Sequence, residues 1–214
     1  MEILREIERA VIDGKVRDIE GVVQKALDTG LEAHSILDGA LAVGMLEVGR
    51  RFREGEYFLP EVVSSANAMK KAIKLLEPYL AGKTAREPVG KMVIGTVKGD
   101  VHDIGKNLVA IMFQGAGFEV LDLGVDVKPD RFVQAISELG PDVVGMSALL
   151  STTMVSITDT IEAIKASGLR SQVKIIIGGA PVTQEFADRV GADGYAPDAA
   201  SAVEKARELL RLDA

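Results

Sequence analysis

His102 is the side chain in this sequence whose type and setting come closest to chemistry. It lies in the run Gly99-Asp100-Val101-His102-Asp103-Ile104-Gly105-Lys106-Asn107. A neutral imidazole is a good metal ligand. A ligating ring usually gives its other N–H to a carboxylate or carbonyl, which fixes the tautomer and raises basicity. Asp100, two residues before His102, could fill that place. Asp100 and Asp103 could instead cap a helix beginning near Ile104. His34, the only other histidine, falls near the start of a polar helical turn and reads as an ordinary exposed or satisfied side chain.

Ser147-Ala148-Leu149 and Gly178-Gly179 each end an apolar run. The glycine pair has two readings. It could be a tight turn after a strand, or it could let a large flat ligand lie against bare backbone. Gly105 could allow a similar approach at a helix N-terminus. Neither Gly-x-x-x-x-Gly-Lys-Ser/Thr nor Gly-x-Gly-x-x-Gly occurs, which excludes the standard phosphate-loop and dinucleotide fingerprints.

These residues meet only if the elements around them bring them together. From Lys91 onward, apolar runs rich in β-branched residues at 92–97, 118–123, 143–146 and 173–177 alternate with helical stretches. Those helices fall near 104–115, 129–139, 151–167 and 183–190. A weak fifth strand at 193–195 precedes a helix over 199–210. Continuous rather than alternating apolar runs predict parallel strands covered on both faces. Alternating β and α units predict a doubly wound, flavodoxin-like sheet of five strands. In such a sheet ligands sit beyond the carboxyl ends of the strands, where strand order reverses. The runs holding His102, Ser147 and Gly178-Gly179 all follow strand ends.

The first 82 residues read as helix. Leu37, Leu41, Met45, Val48 and Phe52 recur at helical steps within 32–53. Breaks fall at Asp13-Gly14, Thr29-Gly30 and Glu54-Gly55, and Pro60 suits the first turn of a further helix. A four-helix bundle over 1–82 is expected, then a linker at 83–90 within the apolar-poor stretch 81–90, then the sheet domain over 91–214.

The 214 residues carry a net charge of −7 and no cysteine. No disulfide or thiolate metal site can form. The densest basic run, Arg50-Arg51-Phe52-Arg53, is surrounded by Glu47, Glu54 and Glu56, so nucleic acid is an unsuitable partner. There is no signal pattern and no apolar stretch of membrane-spanning length, so the protein is expected in the cytoplasm.

The combination Asp100-x-His102-x-x-Gly105, then 41 residues, Ser147-x-Leu149, then 28 residues, Gly178-Gly179, resembles the signature of cobalamin-binding domains. The stretch Gly44-Met45-x-x-Val48-Gly49-x-x-Phe52-x-x-Gly55-x-Tyr57-Phe58-Leu59-Pro60-Glu61-Val62 is similar to the helical cap of cobalamin-dependent methionine synthase. It is also similar to the small corrinoid proteins of methanogens and acetogens. Together the two resemblances cover nearly the whole chain.

The resemblance implies that His102 replaces the cofactor's own base as lower cobalt ligand. Asp100 would bond His102, and Ser147 would extend that relay and store a proton. Leu149, Gly178 and Gly179 would line a slot for the nucleotide tail. Gly99, Val101, Asp103, Ile104 and Gly105 complete the cofactor-binding loop. Phe52 and Leu59 would cover the upper corrin face and shield the methyl group, with the linker as a hinge. It implies a non-autonomous carrier of methyl groups on cobalt. One partner would be a substrate-specific corrinoid methyltransferase. A second methyltransferase would deliver to a thiol or tetrahydrofolate, with a reductive activation protein as a further partner.

Three other readings stay open. The cobalamin subunit of an adenosylcobalamin-dependent mutase needs room above the corrin for adenosine. A cobalamin-dependent light sensor needs a DNA-binding module, for which charge and length leave no place. A generic receiver-like domain leaves the helical half unexplained.

Overall fold

The computed structural model describes residues 2–80 and 88–212. They form two compact units, one helical and one α/β. Of the expected linker and hinge at 81–90, residues 81–87 lie outside the described residues.

The helical unit comprises α1 (Glu2–Ile12), α2 (Ile19–Asp28), α3 (Ala33–Ile36), α4 (Ala42–Arg53) and α5 (Leu59–Leu80). A π-helical turn, Leu37–Leu41, joins α3 to α4 without interruption, so four helical rods result. Gly14, Gly30 and Gly55 have φ of +61°, +85° and +73°, which only glycine adopts without strain. The expected breaks fall at these residues.

The π turn changes one expectation. Leu37 is only half-buried, whereas Ile36, Leu41, Met45 and Val48 are buried. The buried stripe therefore takes a step of five before its steps of four and three, as a turn closed by i→i+5 bonds requires. Phe52, at the far end of the stripe, is also half-buried rather than core.

In the α/β unit the elements alternate as β1 (Lys91–Thr96), α6 (Ile104–Gly115), β2 (Glu119–Asp122), α7 (Pro129–Leu139) and β3 (Val143–Ser147). There follow α8 (Met154–Ala166), β4 (Lys174–Gly178), α9 (Gln184–Val190), β5 (Gly194–Ala196) and α10 (Ala199–Leu210). All strand pairs are parallel, in the order β2-β1-β3-β4-β5. Residues 92–96 of β1 and 143–146 of β3 are buried without alternation, as a sheet covered on both faces demands. The chain leaves β1 toward β2 on one side and returns as β3 on the other. The carboxyl ends of β1 and β3 thus flank the point where strand order reverses.

Thr96 lies opposite Ser147, and Ser147 opposite Gly178, so the three predicted site segments begin at one level of the sheet. Strand ends differ from expectation by a residue. Helix α8 starts at Met154 rather than near 151, because residues 151–153 form a turn. Among the described residues no helix is long and apolar enough to cross a membrane.

Candidate functional site

After β1 the chain turns through Gly99, at φ +83°, and brings Asp100 back under the strand end with its N–H on the Val97 carbonyl (3.1 Å). Asp100 is 1% exposed. A carboxylate so placed must find several donors or lose its charge. It finds them. Oδ1 lies 2.7 Å from His102 Nδ1 and accepts the His102 main-chain N–H at 3.1 Å. Oδ2 accepts the Thr153 hydroxyl at 2.7 Å and the Leu149 N–H at 2.8 Å, with the Leu150 N–H at 3.3 Å.

Burial alone would push the Asp100 carboxyl up. Hydrogen bonds from Thr153, from the His102 ring and main chain and from Leu149 outweigh it and hold the group well below the usual carboxylate range. Asp100 is therefore an anion in the folded protein.

Ser147 was expected to extend the relay, and the structure corrects this. Among the described residues the side-chain hydroxyl on Asp100 is that of Thr153, six residues further on. Ser147 ends β3 inside the sheet register, whereas the turn after Leu150 carries Thr153 over the carboxylate. The Thr153 hydroxyl is not spent on the helix it precedes. Thr153 is the N-cap of α8, yet its side chain makes no cap bond, whereas Thr183 and Asp198 cap α9 and α10. Its hydroxyl oxygen lies within hydrogen-bond distance of both Asp100 Oδ2 (2.7 Å) and the Leu150 carbonyl (2.8 Å), and the anion is the stronger acceptor for its single proton. The sequence places Thr153 inside a helix expected from near 151, so nothing in it singles this threonine out.

His102 itself is fixed from three directions. Asp100 holds Nδ1 and the main-chain N–H, and the fully buried Thr96 donates its hydroxyl to the His102 carbonyl at 2.9 Å. An ionised acceptor at Nδ1 selects the tautomer with its proton there and its lone pair at Nε2. The side chain remains 47% exposed, so that lone pair can meet a ligand.

Around His102 the surface is apolar. Val101, Ile104, Leu149 and Leu150 are exposed, and a side chain built at Gly105 would meet nothing within 4 Å. Asp103 does not cap α6 through its side chain; its carboxylate takes the Asn107 amide at 3.1 Å. Gly178 and Gly179 have a reason internal to the fold. A Cβ at Gly179 would lie 1.9 Å from the Ala148 carbonyl oxygen, and one at Gly178 would lie 2.8 Å from that of Ala196. Any ligand reaching this edge therefore meets backbone.

Among the described residues no cluster of three or more His, Asp or Glu could hold a metal ion. The site offers one imidazole beside an exposed apolar surface. That set fits a metal whose other ligands come with a large, flat cofactor, and not a bare ion.

Leu59 and Phe52 lie on the helical unit, Leu59 exposed at the start of α5 and Phe52 near the end of α4. His34 departs from its expected reading: both ring nitrogens are buried without a hydrogen-bond partner.

Residues 90–204 match a family described as B12 binding domain, and residues 3–77 match a second family of the same description. A corrinoid protein of Desulfitobacterium hafniense (strain Y51) is 44% identical over 98% of this chain and 98% of its own. Dimethylamine corrinoid protein 2 of Methanosarcina acetivorans is 44% identical over 98% of this chain and 96% of its own. Among solved structures, the methanol:cobalamin methyltransferase complex from Methanosarcina barkeri is similar at a TM-score of 0.88 and 31% identity. That similarity covers 99% of this chain and 81% of the other.

Proposed function

The chain belongs to the B12-binding-domain family and its cofactor is cobalamin, and on that premise we propose that it carries methyl groups between methyltransferases. The observation that supports this most is the buried, ionised Asp100 holding His102 by Nδ1 beside an exposed apolar surface. Bound cobalamin supplies a cobalt centre that can take up and give up a methyl group.

In this reading His102 is the residue that would hold the cobalt, with Nε2 the nitrogen left free to do so. Asp100 keeps the ring proton at Nδ1 and prevents the imidazole from turning its N–H outward. Thr153 and the Leu149 N–H keep Asp100 charged and in place. Gly99, Val101, Asp103, Ile104 and Gly105 form the loop toward the corrin. Leu149, Gly178 and Gly179 would line the slot for the nucleotide tail. Phe52 and Leu59 are the residues of the helical unit that would shield the methyl group. Residues 1–82 serve as the cap, 91–214 as the cofactor domain and 83–90 as their connection.

In this reading the chain is a carrier subunit that works with separate methyltransferases. Its relatives are named for dimethylamine and for a methanol:cobalamin methyltransferase complex. Its partners are accordingly a donor-specific corrinoid methyltransferase, a second methyltransferase delivering to a thiol or tetrahydrofolate, and a reductive activation protein, all in the cytoplasm.

The test is reconstitution of wild type and His102→Gly with methylcobalamin, followed by absorption spectra of the gel-filtered complexes. Wild type should retain the cofactor with a nitrogen-ligated spectrum. His102→Gly should bind more weakly and show the spectrum lacking a lower nitrogen ligand. Identical spectra and affinities would refute the reading.

A further inference from the structure

The loop that carries His102 has no regular secondary structure between the end of β1 and Ile104, so its position depends on what pins it. Its far end is fixed by a buried cation. Lys106, 2% exposed, enters α6 with its ammonium on the carboxylate of Asp122 and on Asn107 Oδ1. Its near end is fixed by a residue with no assigned role, Asp126.

Asp126 reaches the loop twice. Its Oδ1 accepts the Gly99 N–H at 2.7 Å, and its own N–H donates to the Asp100 carbonyl at 2.9 Å. It does so from φ +52°, one of two described non-glycine residues in the left-handed region. That conformation is uncommon for a residue with a side chain, aspartate tolerating it better than most, and here the surroundings fix it. The surroundings are visible. Pairing between the β1 and β2 segments resumes beyond β2, with Thr96 N–H on the Gly124 carbonyl and Val127 N–H on the Thr96 carbonyl. Val125 and Asp126 bulge out between these bonds, which turns Asp126 toward Gly99. The bulge re-aims one side chain, as such irregularities do beside functional sites.

We infer that Asp126 is a positioning residue: by clasping the Gly99–Asp100 turn it sets where Asp100, and through it the His102 imidazole, is held. It touches neither the imidazole nor the apolar surface. The inference rests on the proposed role of His102 as cobalt ligand, although its geometric half concerns the cofactor-free protein.

Two substitutions separate the clasp from other roles. Asp126→Asn keeps an acceptor and a residue that tolerates positive φ. Asp126→Gly keeps the backbone conformation and removes the acceptor. The chain has only two histidines, so nitrogen-detected NMR of the cofactor-free protein resolves His102 readily, with His34→Leu supplying the assignment. Wild type and Asp126→Asn should show His102 as a single Nδ1–H tautomer. Asp126→Gly should show averaging toward the mixture of free imidazole. Its affinity for methylcobalamin should fall about fivefold, the scale of one ordinary net hydrogen bond, since the lost bond is solvent-exposed.

A His102 signal in Asp126→Gly identical to wild type overturns the inference. So does an equal effect of Asp126→Asn, which would make the charge and not the clasp responsible. Thermal unfolding of each apoprotein identifies a change confined to stability, which counts against positioning when the imidazole signal is unmoved. If wild type fails to coordinate cobalt through His102, the proposed function fails, while the NMR comparison still decides the clasp.

Discussion

The two histidines of this chain occupy opposite circumstances. His34, at the start of the helical rod that contains the π turn, has both ring nitrogens buried and no partner for either. His102 sits on a loop, half in solvent, with its main-chain N–H, its carbonyl and its Nδ1 each held at 2.7–3.1 Å. Burial alone makes His34 an apolar filler that costs the fold unmet hydrogen bonds. A buried anion makes His102 a directed ligand with one nitrogen left to use. What distinguishes a site histidine here is the charge behind it and not its depth.

The largest effect that would break this contrast is exchange at the two imidazoles. His102→Gly should eliminate nitrogen coordination of bound cobalamin, whereas His34→Leu should leave it unchanged, as read from absorption spectra. Coordination that survives His102→Gly and disappears in His34→Leu would invert the assignment.

Next in size is Asp100→Asn. It removes the anion that selects the Nδ1–H tautomer, and cobalamin affinity should fall about 10- to 100-fold, as for other partners of ligating imidazoles. Equilibrium titration measures this.

The same carboxylate predicts a pH dependence. Its folded-state value lies below the ordinary 3.8, so the stability it contributes is fully present above that value. It is lost as pH falls from there through the lower folded-state value. Urea unfolding of the apoprotein at pH 5 and pH 3 should show a steeper loss for wild type than for Asp100→Asn. Equal losses would show that Asp100 is not held as an anion.

A smaller effect separates the two hydroxyls. Thr153→Val should lower apoprotein stability by about 1–2 kcal/mol, because it leaves Asp100 Oδ2 short of a donor. Ser147→Ala should change stability by less than about 0.5 kcal/mol. His34→Leu should act in the opposite direction, neutral or stabilising by up to about 1 kcal/mol, since it removes two buried unpaired atoms. Thermal and chemical unfolding measure all three.

Much of the fold was legible because parallel strands buried on both faces read as unbroken apolar runs, and β3 and β4 lie within a residue of where those runs predict. Helices α6, α7 and α10 begin and end where periodicity places them. The Asp100–His102 pairing was legible because a two-residue spacing brings carboxylate and ring together within one turn. The choice of Thr153 over Ser147 was not, since it depends on how residues 148–153 fold across the end of β3. Asp126 was invisible for the same reason: its approach to Gly99 follows from a bulge in the β1–β2 pairing 27 residues away in sequence. The π turn escaped because its step of five differs by one residue from a normal helical step.

The central claim is that the His102 imidazole becomes the lower ligand of the cobalt. Electron paramagnetic resonance of the one-electron-reduced cobalamin complex, prepared with unlabelled and with 15N-histidine-labelled protein, tests it directly. Coordination predicts that the nitrogen splitting changes from three lines to two on labelling, and that the change is absent in His102→Gly. A splitting that stays threefold in the labelled protein would show that the nitrogen on cobalt belongs to the cofactor's own base.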